Sequence, residues 1–136
     1  MKTIKVSVCI SVHNTAHLLP RCLDSLLKQT MKDLEIVLVN NGSSDNSEDI
    51  MRQYSNHYPQ IQWQIIVQDD RGLAQGRQTG INHAIGEYIA FLDADDFVDS
   101  HMYGKLFDVA LENSADIVEC EVFRDGSILS SPYTGL

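Results

Sequence analysis

Three carboxylates fall within four positions, Asp93-Ala94-Asp95-Asp96, at the end of the apolar run Gly86-Glu87-Tyr88-Ile89-Ala90-Phe91-Leu92. Carboxylates this close repel one another and raise each other's pKa unless a cation stands among them. A hard divalent ion such as Mg2+ or Mn2+ meets that need through oxygen ligands. If extended geometry persists, Asp93 and Asp95 point to one side and Asp96 to the other. The same spacing occurs in loops that bind nothing, with Asp96 then capping the next helix, so the acids alone leave both readings open. Arg77, near a helix start, can offer phosphate a charge-assisted hydrogen bond, or can form an ion pair that only holds Asp69 or Asp93. The cluster Asn40-Asn41-Gly42-Ser43-Ser44 reads as a turn able to hydrogen-bond a base or ribose. An acid cluster, an arginine and such a turn together fit a nucleoside diphosphate bound through a divalent ion.

These groups need a scaffold that brings them together, and the hydrophobic pattern supplies one. Val6 to Val12 is apolar on one parity and small on the other, as in a central strand. Leu18, Cys22 and Leu26, with Leu19, Leu23 and Leu27 beside them, predict a helix that tolerates Pro20 in its first turn. Leu34 to Val39 predicts a second strand. Asp45 and Glu48 have capping-box spacing ahead of a helix through Ile50, Met51 and Tyr54, with Pro59 beyond it. Ile61 to Val67 predicts a third strand, and Asp69-Asp70-Arg71-Gly72 a polar turn. Leu73, Arg77, Gly80, Ile81 and Ala84 mark the inner stripe of a third helix, closed by Gly86. The run ending at the acids predicts a strand apolar on both faces and therefore without a wet side. Ser100 is expected to cap a helix through Leu106, Phe107, Ala110 and Leu111, and Ala115 to Glu121 to form a last strand, after which the signals fade into turns.

Strands alternating with helices at short intervals imply right-handed βαβ units, hence a three-layer αβα sandwich with a mostly parallel sheet. Ligands of such sheets bind at the carboxyl ends of the strands. Four polar segments fall there, namely Ser11 to Thr15, Asn40 to Ser44, Asp69 to Gly72 and Asp93 to Asp96.

At 136 residues and 43% apolar content the chain has the size of one domain with one core, taken here as 1–136. The formal charge of −9 argues against a binder of nucleic-acid backbone, which relies on clustered Lys and Arg. No run approaches the roughly 20 apolar residues of a membrane span, and the N-terminus lacks a signal-peptide pattern. Cys9, Cys22 and Cys120 are odd in number and lie in apolar segments, which suits reduced core thiols and a cytoplasmic location, with the inner face of the membrane as a variant. Gly-x-Gly-x-x-Gly, the P-loop and Gly-x-Ser-x-Gly are all absent.

Four segments carry a family resemblance: Val6-Ser7-Val8-Cys9-Ile10-Ser11-Val12-His13-Asn14, then Val37-Leu38-Val39-Asn40-Asn41-Gly42-Ser43-Ser44-Asp45, then Gly72-Leu73-Ala74-Gln75-Gly76-Arg77-Gln78-Thr79-Gly80, and last Gly86 to Asp96. In order and spacing they resemble the motifs of the family 2 inverting glycosyltransferases with the GT-A fold, a Rossmann-like nucleotide-diphospho-sugar transferase fold. The resemblance runs from Val6 to about Cys120. It implies a nucleotide-sugar donor, first of all a UDP-sugar, a divalent Mn2+ or Mg2+, and transfer with inversion to a saccharide or lipid-linked acceptor in cell-surface polysaccharide or glycan synthesis. It implies that Asp95 ligates the metal, that Asp93 contacts the ribose or the metal shell, and that Arg77 meets the phosphates. It also implies that Ser11, His13, Asn14 and Asn41 line the nucleotide.

The chain departs from the family pattern in several places. Ser11 stands where Pro is usual, His13 where an aromatic is usual, Asn40-Asn41 where paired Asp is usual, and Gly76 and Gln78 where a small residue and Asn are usual. Inverting transfer needs a general base, and none of Glu119, Glu121 or Asp125 is assigned to that role. The expectation is a donor-binding half without its acceptor-binding part, with a homo-oligomer admitted. The alternative is a truncated or vestigial nucleotide-binding module without turnover of its own.

Overall fold

The computed structural model describes residues 3–120 and the backbone of two short strands, Val122–Arg124 and Ser127–Leu129. The elements alternate as β1 (Val6–Val12), α1 (Leu19–Leu27), β2 (Leu34–Asn41), α2 (Ser47–His57), β3 (Gln62–Gln68), α3 (Leu73–His83), β4 (Tyr88–Phe91) and α4 (Met102–Glu112). The first four strands form one parallel sheet in the order β3-β2-β1-β4, and the last two, β5 and β6, pair antiparallel with each other.

Alternation along β1 and β2 sets the layers. Val6, Val8, Ile10 and Val12, with Leu34, Ile36 and Leu38, meet Leu19, Leu23 and Leu26 of α1, Met51 of α2, and Tyr103 and Phe107 of α4 in the main core. The opposite parity, Cys9, Val37 and Val39, forms a smaller cluster under α3. Helices therefore cover both faces, and the parallel sheet is doubly wound as expected. β1 and β2 are buried almost throughout because each is paired on both sides.

Several local expectations give way. β2 runs through Asn40 and Asn41, so the turn after it begins at Gly42, whose φ of +73° is the left-handed conformation glycine permits. No capping box forms at α2. Asp45 Oδ1 instead accepts from the Ser47 backbone N–H at 3.0 Å and hydroxyl at 2.6 Å, and Glu48 pairs with Arg52. The face α3 turns to the sheet is Gly76, Thr79 and Gly80, while Leu73 and Ile81 are exposed. Small residues win that face because the sheet lies so close: a Cβ on Gly80 would come within 2.9 Å of the Cys9 Cβ.

Gly86 does not close α3, which ends at Ala84; it lets the chain pass β1, where a Cβ would meet the Ser7 backbone N at 2.7 Å. Ser100 does not cap α4, whose N-cap residue is His101. Ala115 to Cys120 is not a strand, and Glu121 lies outside the described residues, as do the side chains of Glu121 and Asp125. Among the described residues β4 is short and lies at the edge of the sheet, Ile89 and Phe91 are 40% and 45% exposed, and the expected absence of a wet face does not hold. Cys9 and Cys22 are buried free thiols, whereas Cys120 is exposed rather than in the core.

At the other end of the sheet from the acids, Glu35 is fully buried on the α3 face. It accepts from the Ser7 hydroxyl at 2.7 Å, the Gln64 amide at 2.8 Å and the Ile85 backbone N–H at 3.0 Å. A buried carboxylate is tolerated when its lone pairs are filled in this way. Its product is mechanical, since it fastens the α3–β4 connection under β1.

Candidate active site: an acidic turn at the carboxyl rim

Parallel strands put their carboxyl ends on one rim, and the segments expected there do meet. His13 lies just past β1 with its Nδ1 2.9 Å from the Asn41 carbonyl. A carbonyl only accepts, so Nδ1 carries the proton. Asn14 has a φ of +50°, and its side-chain oxygen accepts from the Ser44 backbone N–H at 2.7 Å and that of Asp45 at 3.2 Å. It ties the β1 end to the turn after β2. Ser11 faces α3 against Gly76, whose missing Cβ leaves room for the Ser11 hydroxyl.

The acids form a turn rather than continuing the strand. The Asp96 backbone N–H donates to the Asp93 carbonyl at 3.0 Å, and this reversal brings Asp96 to the same side as the others. Asp93, Asp95 and Asp96 are all exposed, and each places a carboxylate oxygen within 4.8 Å of the others. The extended geometry that sent Asp96 away is thereby corrected. Arg77 reaches the cluster from α3, its Nη2 3.5 Å from Asp93 Oδ1 and its guanidinium 5.6 Å from the Phe91 ring centre.

α1 holds this turn from below, through residues that the sequence did not point to as part of the site. Arg21 Nη2 donates to the Asp95 carbonyl at 2.8 Å, with its guanidinium 4.8 Å over the Phe97 ring. The Cys22 thiol lies 3.7 Å from the Asp93 carbonyl. Burial, then the charges of Asp96 and Asp95, push that thiol up to about 12, so it stays a protonated donor. Ser25 Oγ accepts from the Val98 backbone N–H at 3.2 Å.

Gln29, 1% exposed, donates to the Asp99 carbonyl at 2.6 Å and accepts from the Tyr103 backbone N–H at 3.3 Å. That second bond satisfies a donor in the first turn of α4, where no N-cap side chain serves. One signal could have found Gln29. It continues the apolar row of Cys22 and Leu26, and a polar residue in such a row needs buried partners.

A groove of about 430 Å3 lies beside the ends of β2 and β3, lined by Asn40, Ser43, Asp45, Glu48, Val67 and Asp69 among others. Asn40 and Asn41 point to opposite faces of β2, so this groove lies on the α2 side of the β2 and β3 ends of the rim. Among the described residues only the acidic turn brings three carboxylates close enough to share an ion, and it is the better candidate.

The sheet order, the helices on both faces and the acids on the rim define a GT-A type glycosyltransferase fold. Among solved structures, the chain resembles TarS 1–349 of S. aureus in complex with UDP, with a TM-score of 0.75 at 24% identity over 82% of this chain and 33% of that one. It also resembles the mannosyltransferase PcManGT from Pyrobaculum calidifontis, solved with GDP-Man and Mn2+, with a TM-score of 0.67 at 28% identity over 70% of this chain and 28% of that one. Residues 7–130 match the model of glycosyl transferase family 2, and the chain belongs to that family. An uncharacterized glycosyltransferase of Bacillus subtilis, EpsJ, is 40% identical over 90% of this chain and 35% of its own length. The chain thus spans about a third or less of the curated relatives it matches. Among the described residues no helix is long and apolar enough to cross a membrane.

Proposed function

We propose that this chain is the donor-binding part of a glycosyltransferase that takes a sugar from a nucleoside diphosphate, a UDP-sugar first of all, and transfers it with inversion to a hydroxyl of a saccharide or lipid-linked acceptor. The observation that carries this reading is the meeting of Asp93, Asp95 and Asp96 within 4.8 Å on the rim shared with His13 and Arg77. Oxygen-only ligands in that number suit Mn2+ or Mg2+, with Asp95 and Asp93 as the holding residues and Asp96 in reach. When bound, such an ion neutralises charge on the departing diphosphate.

The remaining roles belong to this chain's own side chains. Arg77, half exposed and only loosely paired with Asp93 at 3.5 Å, can turn its guanidinium to a phosphate oxygen. Ser11, against Gly76 of α3, and His13, beside Asn41 and Asp70, are the residues that would line the nucleotide, and Asn14 serves by tying the end of β1 to the turn after β2. Asn41 acts one step back, through the turn it holds. The metal-bound, nucleotide-sugar state of the related mannosyltransferase supports the donor class. The acceptor class and inversion rest on family membership.

Calorimetric titration with UDP, with and without Mn2+, tests the reading. Binding is expected only with the ion and is expected to disappear in Asp95→Ala, with circular dichroism unchanged. Absence of binding by every nucleoside diphosphate in the presence of Mn2+ would sink it.

A further inference from the structure

Asn41 stands where the family pattern has a carboxylate, yet its side chain is spent inside the protein. The amide nitrogen donates to Asp70 Oδ1 at 3.4 Å and to the Gly72 carbonyl at 3.0 Å. The amide oxygen accepts from Gln68 Nε2 at 3.0 Å and from the Arg71 backbone N–H at 3.3 Å. An aspartate could not replace it, because a carboxylate has no N–H to donate and would stand against a second carboxylate. What Asn41 holds in place is Asp70.

Asp70 Oδ1 accepts from Asn41 and from the Gly72 backbone N–H at 3.0 Å. Its Oδ2 faces the rim, 4.0 Å from His13 Nδ1, and the side chain is 54% exposed. The Asp70 backbone packs directly on Gly42, its nitrogen 2.6 Å from where a Cβ on that residue would be, an approach that only a glycine there allows. One oxygen of this carboxylate is thus fixed by the fold, and the other is offered beside His13.

We infer that Asp70, presented by Asn41 in the β3–α3 turn, is the residue that reads the base of the nucleotide donor, its Oδ2 accepting one N–H from the base edge. The inference rests on the proposed nucleotide-binding role of this rim. A single available acceptor is selective. Uracil offers one imide N–H between two carbonyls, whereas cytosine and adenine present a lone pair at the equivalent ring nitrogen, which a carboxylate repels. Guanine offers two adjacent donors that want both oxygens, and Oδ1 is already engaged twice. Uridine diphosphates are therefore the class this carboxylate selects.

The test is the ratio of UDP to CDP affinity, measured by calorimetry with Mn2+ on the wild-type chain, Asp70→Ala and Asp70→Asn. The wild type is expected to prefer UDP. Asp70→Ala is expected to weaken UDP by roughly ten- to a hundredfold, the worth of a hydrogen bond to a charged group, while CDP changes little. In Asp70→Asn the partners of Oδ1 keep the amide oxygen inward and turn the NH2 outward, so preference is expected to move toward CDP. A merely structural Asp70 would weaken both nucleotides alike. UDP binding by the wild type with an unchanged UDP to CDP ratio in both variants would overturn the inference and leave the proposed function standing. No nucleotide binding by the wild type would overturn both.

Discussion

Ser11 and Gly76 fit one another as a pair: the Ser11 hydroxyl occupies the space that a side chain on Gly76 would need. The family pattern has Pro where Ser11 stands and a small residue where Gly76 stands, and here the two positions fit each other across the β1–α3 interface. Gly76→Ala is expected to cost about 1–3 kcal/mol through overpacking. In a Ser11→Gly background the same change should turn neutral or stabilising, because alanine favours a helix interior over glycine by roughly 1 kcal/mol. Urea unfolding of the four proteins in a double-mutant cycle measures the reversal, and equal costs in both backgrounds would refute the pairing.

Gln29 joins α1 to both ends of the segment between the acidic turn and α4. Gln29→Ala removes the partner of the buried Tyr103 N–H, while the Asp99 carbonyl keeps the Met102 N–H, and the orphaned donor costs about 1–3 kcal/mol. Beyond the lower melting temperature, Mn2+ affinity is expected to fall even well below the melt, since the chain leaving Asp96 loses its anchor. Loss of stability with undiminished metal affinity would make Gln29 a core residue and nothing more.

Asp45 gives a pH signature. The Ser47 hydroxyl bond, with backbone N–H groups of Ser47 and Ala16, holds its carboxyl below the usual carboxylate value. A depressed folded-state pKa contributes stability above the unfolded value, and that contribution is lost as pH falls through the folded value. The stability gap between wild type and Asp45→Asn should therefore be open at neutral pH and narrow in acid, below the ordinary aspartate value of about 3.9. Urea midpoints at the two pH values check it, and an unchanged gap would show that the Ser47 contact does not distinguish the charged form.

Much of the architecture was legible because period and parity are local signals. Val6 to Val12 and Leu34 to Val39 predicted the two central strands, and the leucines of 18–27 predicted the helix over them. The misses came where neighbours decide. α3 shows its glycines rather than its leucine to the sheet because the distance to Cys9 decides the contact, and hydrophobicity cannot show that. β4 reads as buried from Ile89 and Phe91, but among the described residues the sheet order gives it one partner. At the site, the acids, Arg77 and the converging turns were visible as residue types. The reversal that gathers Asp96, the inward side chain of Asn41 and the support from Arg21 and Gln29 depend on contacts between residues far apart in sequence.

The sheet order also sets an unequal cost in chain entropy. β1 meets β2 across a separation of under 30 residues, as β2 meets β3, but it meets β4 across roughly eighty. Closing the longer loop costs about 1 kcal/mol more, by the logarithm of its length. The strand that carries the acidic turn is thus the one held at the greatest entropic disadvantage, with four residues in register and, among the described residues, a single neighbour. A ligand bound at that turn adds its binding free energy to the folded state at the sheet's most expensive closure. Donor and ion would then act as a clasp on the last strand as well as on the sugar.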